Sequence, residues 1–229
     1  MGHNSLMRRY GLPLILIFSI LPYLPIFWNG FVGDDVFRIV QNPEIGELSL
    51  FQLLQRPLYP GDIFRPVMIF LQAAIIKSCG MSAFPLHLLS VLLHAANGVL
   101  VLTLLRRFLK YPLALASTLV FAVHPLHSEA VANISAQSVL LMSFFCFLSL
   151  VLTLGDRCTS FTRLALLFFT SLLAFGSKES GFALFVLIPV FLSWSARTER
   201  IPKALTVLLS SASFYMLGRI SALGSSDFF

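Results

Sequence analysis

The chain alternates between long apolar runs and short polar connections. Helices that cross a bilayer need about 20 mostly apolar residues. The pattern therefore predicts an all-α membrane protein built from consecutive hydrophobic helices. The apolar runs lie at residues 10–28, 63–80, 84–106, 112–128, 137–154, 163–177, 181–196 and 203–220.

The run at 63–80 differs from the others because it contains Arg65, Pro66, Gln72 and Lys77. We interpret it as an interfacial helix that lies on the membrane surface within a long first outer loop, residues 30–83. The other seven runs then cross the membrane, in a single membrane domain over residues 1–229. The first run is too long for a usual signal-peptide core, so we expect an uncleaved first span.

The distribution of charge supports this topology. Only 11% of residues are charged and 57% are hydrophobic, whereas soluble domains carry about 25% charged residues. The net charge of +6 does not indicate a nucleic-acid partner, because membrane proteins concentrate Lys and Arg in cytoplasmic loops. With seven spans and a cytoplasmic N-terminus, the cytoplasmic side collects Arg8, Arg9, Arg106, Arg107, Lys110, Arg157, Arg163, Arg197, Arg200 and Lys203. If 63–80 crossed as well, the cluster at 106–110 would face outward.

Polar candidates concentrate on the predicted outer face, and the first follows the first span. Asp34 and Asp35 are adjacent carboxylates, and Arg38, four residues after Asp34, is a candidate for substrate binding. Carboxylates at this place are candidates for a general base or for a group that positions an acceptor hydroxyl. Carboxylate oxygens also suit Mg²⁺ or Mn²⁺, so a divalent cation is an option here and not a requirement. The alternative is a solvated pair that caps a helix beginning near Val36.

Two further candidates carry positive charge. Arg65 precedes the interfacial helix and could hold a phosphate group in bidentate fashion, or simply anchor the helix at the interface. Lys178 and Glu179 lie between two spans in the short outer connection 177–181. Lys178 could contact a lipid phosphate and Glu179 a substrate, or the two could neutralise each other.

The second outer connection, residues 124–137, contains His124, His127 and Glu129. Their spacing is not that of the zinc-binding helix HExxH, so an acid–base role or contact with sugar hydroxyls is favoured over zinc. The alternative is a helix end with polar capping groups. His94 and Asn97, within the second span, are expected to form hydrogen bonds in the helix bundle. Three scattered cysteines predict neither a disulfide framework nor a metal cluster.

Several segments of the chain, taken in order, resemble the GT-C glycosyltransferases, and most closely the membrane half of TPR-containing O-mannosyltransferases. Asp34–Asp35 and Phe64–Arg65–Pro66 match the opening of that module. The later matches are FPLHLLSVLLHAANGVLVLTLLRRF from Phe84, FAVHPLHSEAVANIS from Phe121 and LAFGSKES from Leu173. The resemblance covers about residues 10–195 and implies seven spans with interfacial helices in the first outer loop.

The resemblance also implies an activity, namely transfer of a sugar from a polyprenyl-phosphate carrier to a hydroxyl of a protein or glycan on the non-cytoplasmic face. Asp34 or Asp35 would orient or deprotonate the acceptor, and Arg65 and Lys178 would meet the carrier phosphate. His124, His127 and Glu129 would stand at the active site. No cofactor is implied beyond the optional Mg²⁺ or Mn²⁺.

One stretch departs from the family pattern. Where the family reads Gly-Arg-x-Asp, this chain has Ala136, Gln137, Ser138 and Val139. The sequence also ends at Phe229, without further spans or TPR repeats. An alternative is therefore a noncatalytic relative, or one subunit of a split enzyme, that binds the carrier or a partner membrane protein. We expect a bacterial inner membrane rather than the endoplasmic reticulum.

Overall fold

The computed structural model describes residues 2–57, 63–156 and 160–224, with side chains from residue 9 onward. The predicted all-helical fold is confirmed for these residues, which contain no strand. Arg157, Cys158 and the side chain of Arg8 lie outside the described residues, as does everything after residue 224. The helices are α1 (Gly2–Ile20), α2 (Pro43–Glu47), α3 (Leu50–Leu53), α4 (Pro66–Cys79), α5 (Ala83–Leu105), α6 (Tyr111–Val123), α7 (Ser128–Ala132), α8 (Gln137–Leu154), α9 (Ser160–Ser177), α10 (Leu184–Trp194) and α11 (Ile201–Leu223).

Five helical stretches in the described residues are long and apolar enough to cross a membrane. The three apolar stretches Pro66–Cys79, Tyr111–Val123 and Glu179–Trp194 are shorter. The long stretches are Arg9–Trp28, Ala83–Leu105, Ile134–Leu154, Ser160–Ser177 and Thr198–Leu223.

Prolines explain where several helices change or end. Helix α1 continues as a 3₁₀-helix, Leu21–Trp28, which contains Pro22 and Pro25. Each proline lacks an N–H group, so a tighter turn replaces α-helical hydrogen bonds that could not form. Helix α6 ends at Val123 because Pro125 follows. The helical part of this run is thus shorter than the predicted 112–128.

Buried polar groups and close approaches hold the long helices together. Asn97 of α5 donates to the Leu140 carbonyl of α8 at 3.0 Å, and the ring of His94 bonds the Ala122 carbonyl at 2.9 Å. These contacts agree with the predicted hydrogen-bonding role, and such bonds within membranes stabilise by about 0.6 kcal/mol each. A Cβ atom at Gly98 would lie 3.1 Å from Ile15, so α1 and α5 pack closely there.

At one end of the bundle, arginines close the last turn of α8. Asp156 accepts hydrogen bonds from both Arg197 and Arg200. Arg197 also donates to the Leu154 carbonyl at 2.8 Å, and so does Arg107 from the end of α5. These bonds satisfy carbonyls that have no partner within the helix. We call Asp156, Arg197 and Arg200 the Asp156 cluster.

At the other end, the described part of the predicted first outer loop, residues 30–57 and 63–83, is folded. A π-helical turn (Val36–Val40) leads into α2 and α3, which pack against α4. Ser49 and Gln52 form a capping box at the start of α3. Ile39, Ile45 and Leu53 are buried together with residues of α4. The loop therefore has a hydrophobic core of its own beside the long helices.

Candidate functional site

A cavity of about 400 Å³ lies where the first outer loop meets the α7 region and the start of α8. It brings together candidates from three separate parts of the sequence. We call it the Asp34 cavity. Its lining residues are Asp34, Arg38, Arg65, Met68, Leu126, Glu129, Ala130, Asn133, Ser135, Ala136, Ser138, Val139 and Lys178.

Asp34 faces this cavity from the start of the π-helical turn. Its side chain is 67% exposed, and its Oδ2 atom lies 3.7 Å from Nε of Arg38, one helical turn later. An exposed ion pair of this kind contributes little to stability, because water already solvates both charges. Asp34 is therefore free to contact a ligand.

Asp35 has a different environment, although it is the next residue. Its side chain is fully buried and is absent from the cavity lining. Its Oδ1 atom accepts a hydrogen bond from the backbone N–H of Ser135 at 2.7 Å. Asp35 thus ties the first outer loop to the turn at 134–136, and it makes no side-chain capping bond to the π-helical turn.

The two aspartates do not share one cavity, which gives no support to a metal ion bridging them. The described residues also contain no cluster of three His, Cys, Asp or Glu side chains that could hold a metal ion.

Arg65 is held by a carboxylate from the other side of the cavity. Its Nη2 atom lies 2.8 Å from Oε2 of Glu179, and Nε donates to the same oxygen at 3.2 Å. Its Nη1 atom donates to the Ser138 hydroxyl at 3.4 Å. The Glu179 carboxylate lies 3.9 Å from Nη1 of Arg219 on α11. Glu179 is therefore shared between two arginines, and the predicted Lys178–Glu179 neutralisation is replaced by an Arg65–Glu179 pair.

These arginines determine the protonation of Glu179. Burial would raise the pKa of this carboxyl group, but hydrogen bonds from Arg65 and the charges of Arg65 and Arg219 outweigh it, so the pKa lies below its ordinary value. Glu179 is thus ionised at neutral pH and offsets much of the charge of Arg65.

Packing fixes the segment that carries Arg65. The backbone carbonyl of Phe64 accepts a hydrogen bond from the Tyr215 hydroxyl of α11 at 3.0 Å. Pro66 begins α4, where its missing N–H costs nothing. A Cβ atom at Gly176 would lie 2.9 Å from Val67, so only glycine lets α9 approach this closely.

Lys178 presents the least compensated positive charge in the lining of the cavity. It is partly exposed, and in residues 2–57, 63–156 and 160–224 its ammonium group has no ion pair or hydrogen bond. Its backbone is extended between α9 and the 3₁₀ turn Glu179–Ala183, so Lys178 and Glu179 separate. Lys178 lines the cavity, while Glu179 turns to the arginines.

The second outer connection contributes one predicted residue to the cavity. Glu129 lines it from α7 and is exposed. His124 and His127 are not in the lining. Nδ1 of His124 accepts from the Leu126 N–H at 3.3 Å, so this side chain caps the 3₁₀ turn Pro125–His127. The capping alternative therefore describes His124 better than substrate contact does.

His127 packs into an aromatic cluster with Phe121, at 4.5 Å between ring centroids, and with His94 at 5.4 Å. Burial lowers the pKa of His127, and the neighbouring rings of His94 and His124 lower it further. The neutral imidazole is thus favoured at neutral pH, where it supports the connection beside the cavity.

Sequence reasoning missed several lining residues. Ser138 lines the cavity and bonds Arg65, yet the sequence drew attention to it only as a departure from a family pattern. Asn133 was not predicted either, and its side chain accepts from the Ser135 N–H at 3.0 Å. The available signal was the alternation of polar and apolar residues at 133–137, followed by a second polar residue at 138.

Gln137 has a structural role. It is fully buried and donates to the Leu86 carbonyl at 2.6 Å and to the Ser90 hydroxyl at 2.9 Å. Its carbonyl accepts from Gln72 of α4 at 3.0 Å. Gln137 thus joins α8, α5 and α4 directly beneath the cavity, and it does not line the cavity itself.

Comparison with curated proteins identifies relatives of the chain. A protein O-mannosyl-transferase of Caenorhabditis elegans is 31% identical over 184 residues, which cover 75% of this chain and 26% of the relative. The chain is related to protein O-mannosyl-transferases. The human protein O-mannosyl-transferase TMTC3 is 27% identical over 84% of the chain, and mouse TMTC1 is 29% identical over 56% of it.

The relationship supports an integral membrane protein. The chain spans about a quarter or less of the length of these relatives. All of them are animal proteins, so the comparison does not favour the bacterial inner membrane expected from the sequence. No protein-family model matches the chain, and no solved structure matches it either.

Proposed function

We propose that the chain is a GT-C-type membrane module that transfers a sugar from a polyprenyl-phosphate carrier to an acceptor hydroxyl on the non-cytoplasmic face. The observation that carries the proposal is the Asp34 cavity, which places carboxylates and cations around one space. The names of the relatives suggest mannose as the sugar and a protein as the acceptor.

The reaction needs one group that accepts the proton of the acceptor hydroxyl and another that stabilises the charge of the leaving phosphate. The acceptor oxygen attacks the anomeric carbon, and the bond from that carbon to the carrier phosphate breaks. The acceptor proton passes to Asp34, which is exposed in the cavity. The electron pair of the broken bond remains on the carrier phosphate, whose added charge Lys178 stabilises.

Arg65 and Glu129 complete this assignment. Because Glu179 offsets the charge of Arg65, Arg65 can position the phosphate through its remaining hydrogen bonds while Lys178 supplies the larger electrostatic effect. Glu129 faces the same space and would bind hydroxyl groups of the sugar or the acceptor. Arg38, paired with Asp34, holds that carboxylate toward the cavity.

The two aspartates provide a sharp test. Asp34→Asn removes the proposed base, so we expect sugar transfer from polyprenyl-phosphate mannose to fall by a factor of about 10² to 10⁴. Asp35→Asn keeps an oxygen that can accept from the Ser135 N–H, so most of the transfer should remain, whereas Asp35→Ala should lose more. Equal activity of Asp34→Asn and the unmodified chain would contradict the assignment.

The second candidate is a noncatalytic relative that holds the carrier or a partner membrane protein. It is favoured by Gln137, because this residue is committed to three helices and stands where the family carries a charge. Carrier binding by the unmodified chain, without any transfer, would favour this candidate over the enzyme.

The proposal includes seven spans, with the five long stretches joined by α6 and α10 and with α4 on the outer surface. Length does not separate α4 from α6 and α10, so the surface position proposed for α4 rests on its packing against α2 and α3 and on the distribution of charge. Cys79, at the end of α4, is exposed. In a Cys158→Ser background, a membrane-impermeant maleimide should label Cys79 from the non-cytoplasmic side. Labelling only from the cytoplasmic side would show that α4 crosses.

A further inference from the structure

Two cations lie close together at the turn between α5 and α6, at the opposite membrane face from the Asp34 cavity. Arg106 follows α5 and Lys110 precedes α6, and both are exposed. Neither forms an ion pair with an acidic side chain in the part of the chain that the structure describes. They border a hollow of about 880 Å³ lined by Arg106, Phe108, Leu109, Lys110, Tyr111, Pro112 and Leu113.

The acidic residues of this face are already engaged. Asp156 is bound by Arg197 and Arg200, and Glu199 lies 3.6 Å from Arg200. Even the adjacent Arg107 turns away, because it donates to the Leu154 carbonyl. Arg106 and Lys110 therefore place two positive charges side by side with no carboxylate of the described residues to offset them. Such a pair favours binding of an external anion.

The hollow has a fixed polar side. The guanidinium group of Arg106 lies over the ring of Tyr111, 5.3 Å from its centre. Tyr111 in turn packs on Gly11 of α1, where a Cβ atom would overlap the tyrosine hydroxyl. Tight packing on a second helix thus holds the ring that orients Arg106. Arg9, two residues before Gly11 on the same helix, adds a third exposed cation.

The hollow also has an apolar side. Leu113 is 56% exposed, and Pro112 beside it is exposed as well. Both begin α6, whose later residues form an apolar helix of the bundle. Cations at the end of such a helix, next to exposed apolar side chains, match an amphiphile whose anionic group lies at the membrane surface and whose chains lie along the helix.

We propose that Arg106 and Lys110, with Tyr111 and the exposed start of α6, bind the headgroup of an anionic phospholipid at this membrane face. The binding surface is separate from the Asp34 cavity and does not depend on sugar transfer. Because the headgroup is anionic and the site is cationic, phosphatidylserine should bind more tightly than phosphatidylcholine with the same acyl chains.

Native mass spectrometry of the purified full chain tests this directly by counting retained lipid molecules. The unmodified chain should retain phosphatidylserine in preference to phosphatidylcholine. Arg106→Gln with Lys110→Gln should weaken the retention of phosphatidylserine by about fivefold for each charge removed, roughly 25-fold together. The charge-matched control Lys77→Gln with Lys203→Gln, away from the hollow, should retain the preference.

Two outcomes would overturn the proposal. One is an unmodified chain that shows no preference for the anionic lipid, a measurement that needs no variant. The other is competition by millimolar inorganic phosphate as strong as that by the lipid, which would indicate a phosphate site without a role for the acyl chains. The double variant Arg106→Lys with Lys110→Arg keeps both charges, so it should still bind the anionic lipid. It serves as the control that substitution at these two positions does not itself prevent folding.

Discussion

The Asp34 cavity and the Asp156 cluster lie at opposite ends of the same helices, and both join acids to arginines. In the Asp156 cluster the arginines bind the carboxylate and backbone carbonyls of α8, so each charge has a structural partner. In the Asp34 cavity, Lys178 has no described partner and Asp34 is mostly exposed. The same residue types thus stabilise a helix end in one region and leave groups free for a ligand in the other.

The largest expected effect is on chemistry in the cavity. Lys178→Ala should lower sugar transfer by about 10² or more, because the leaving phosphate loses its cation in a partly desolvated site. Thermal stability should hardly change, since Lys178 makes no described side-chain bond. Transfer is measured with polyprenyl-phosphate mannose, and exposed Lys77→Ala serves as the control. If Lys178→Ala lost much of its stability but transferred sugar normally, Lys178 would have a structural role like that of the arginines in the Asp156 cluster.

The Asp156 cluster should respond in the opposite way. Arg197→Ala removes the hydrogen bond to the Leu154 carbonyl, so the free energy of unfolding should fall by about 1.5 kcal/mol. Loss of the exposed pair with Asp156 adds little. Transfer per folded molecule should stay unchanged. Denaturation in detergent, followed by an assay of the folded fraction, separates the two quantities. Reduced sugar transfer by fully folded Arg197→Ala would show that the Asp156 cluster and the Asp34 cavity are coupled.

A smaller effect is expected beneath the cavity. Gln137→Leu removes hydrogen bonds to Leu86 and Ser90 and leaves Gln72 with one partner fewer. We expect a loss of about 1 kcal/mol in stability, because interhelical bonds in membranes are individually weak. Gln137→Glu keeps an acceptor for Gln72 and serves as the comparison. Unaltered stability in Gln137→Leu would remove the structural role assigned to this side chain.

The smallest effect concerns pH. In the fold the pKa of Glu179 lies below its ordinary value of 4.5, so the unfolded chain binds more protons as the pH drops. The stabilisation from the Glu179 ion pairs is complete above about pH 4.5 and is lost as the pH falls through the lowered pKa. The melting temperature of the unmodified chain should therefore decline more steeply in acid than that of Glu179→Gln. Parallel curves would contradict this contribution.

The pKa of Asp156 is also lowered, chiefly by the hydrogen bonds from Arg197 and Arg200. This carboxylate should keep its charge to lower pH than Glu179, where burial opposes the arginines. The pH at which each region loses stability is thus another difference between them.

Hydrophobic periodicity predicted the helices well, because a membrane helix is specified by a long local run of side chains. Polar residues and the charge distribution, not periodicity, distinguished the run 63–80, where the structure has the short helix α4 packed against α2 and α3. The identity of the cavity residues was partly predictable as well, since Asp34, Arg65, Glu129 and Lys178 are polar groups beside apolar runs.

Orientation could not be predicted in the same way. Asp34 and Asp35 are neighbours in sequence, but the turn at 134–136 buries one of them and leaves the other exposed. The partner of Glu179 is Arg65, which is 114 residues away. The sequence favours an acid–base role or sugar contact for His124 and His127, whereas His124 caps a local turn and His127 packs against Phe121. Such outcomes depend on tertiary packing, which no short segment encodes.

The bond from Tyr215 to the Phe64 carbonyl has a consequence for how the protein is made. These two residues are 151 positions apart, and Arg219, the second cation near Glu179, also belongs to α11. During synthesis the segment bearing Arg65 therefore lacks its contacts with α11 until that helix has entered the bundle. A chain halted before α11 would display an unfinished loop at the membrane surface, which is the kind of defect that cellular quality control can recognise and remove.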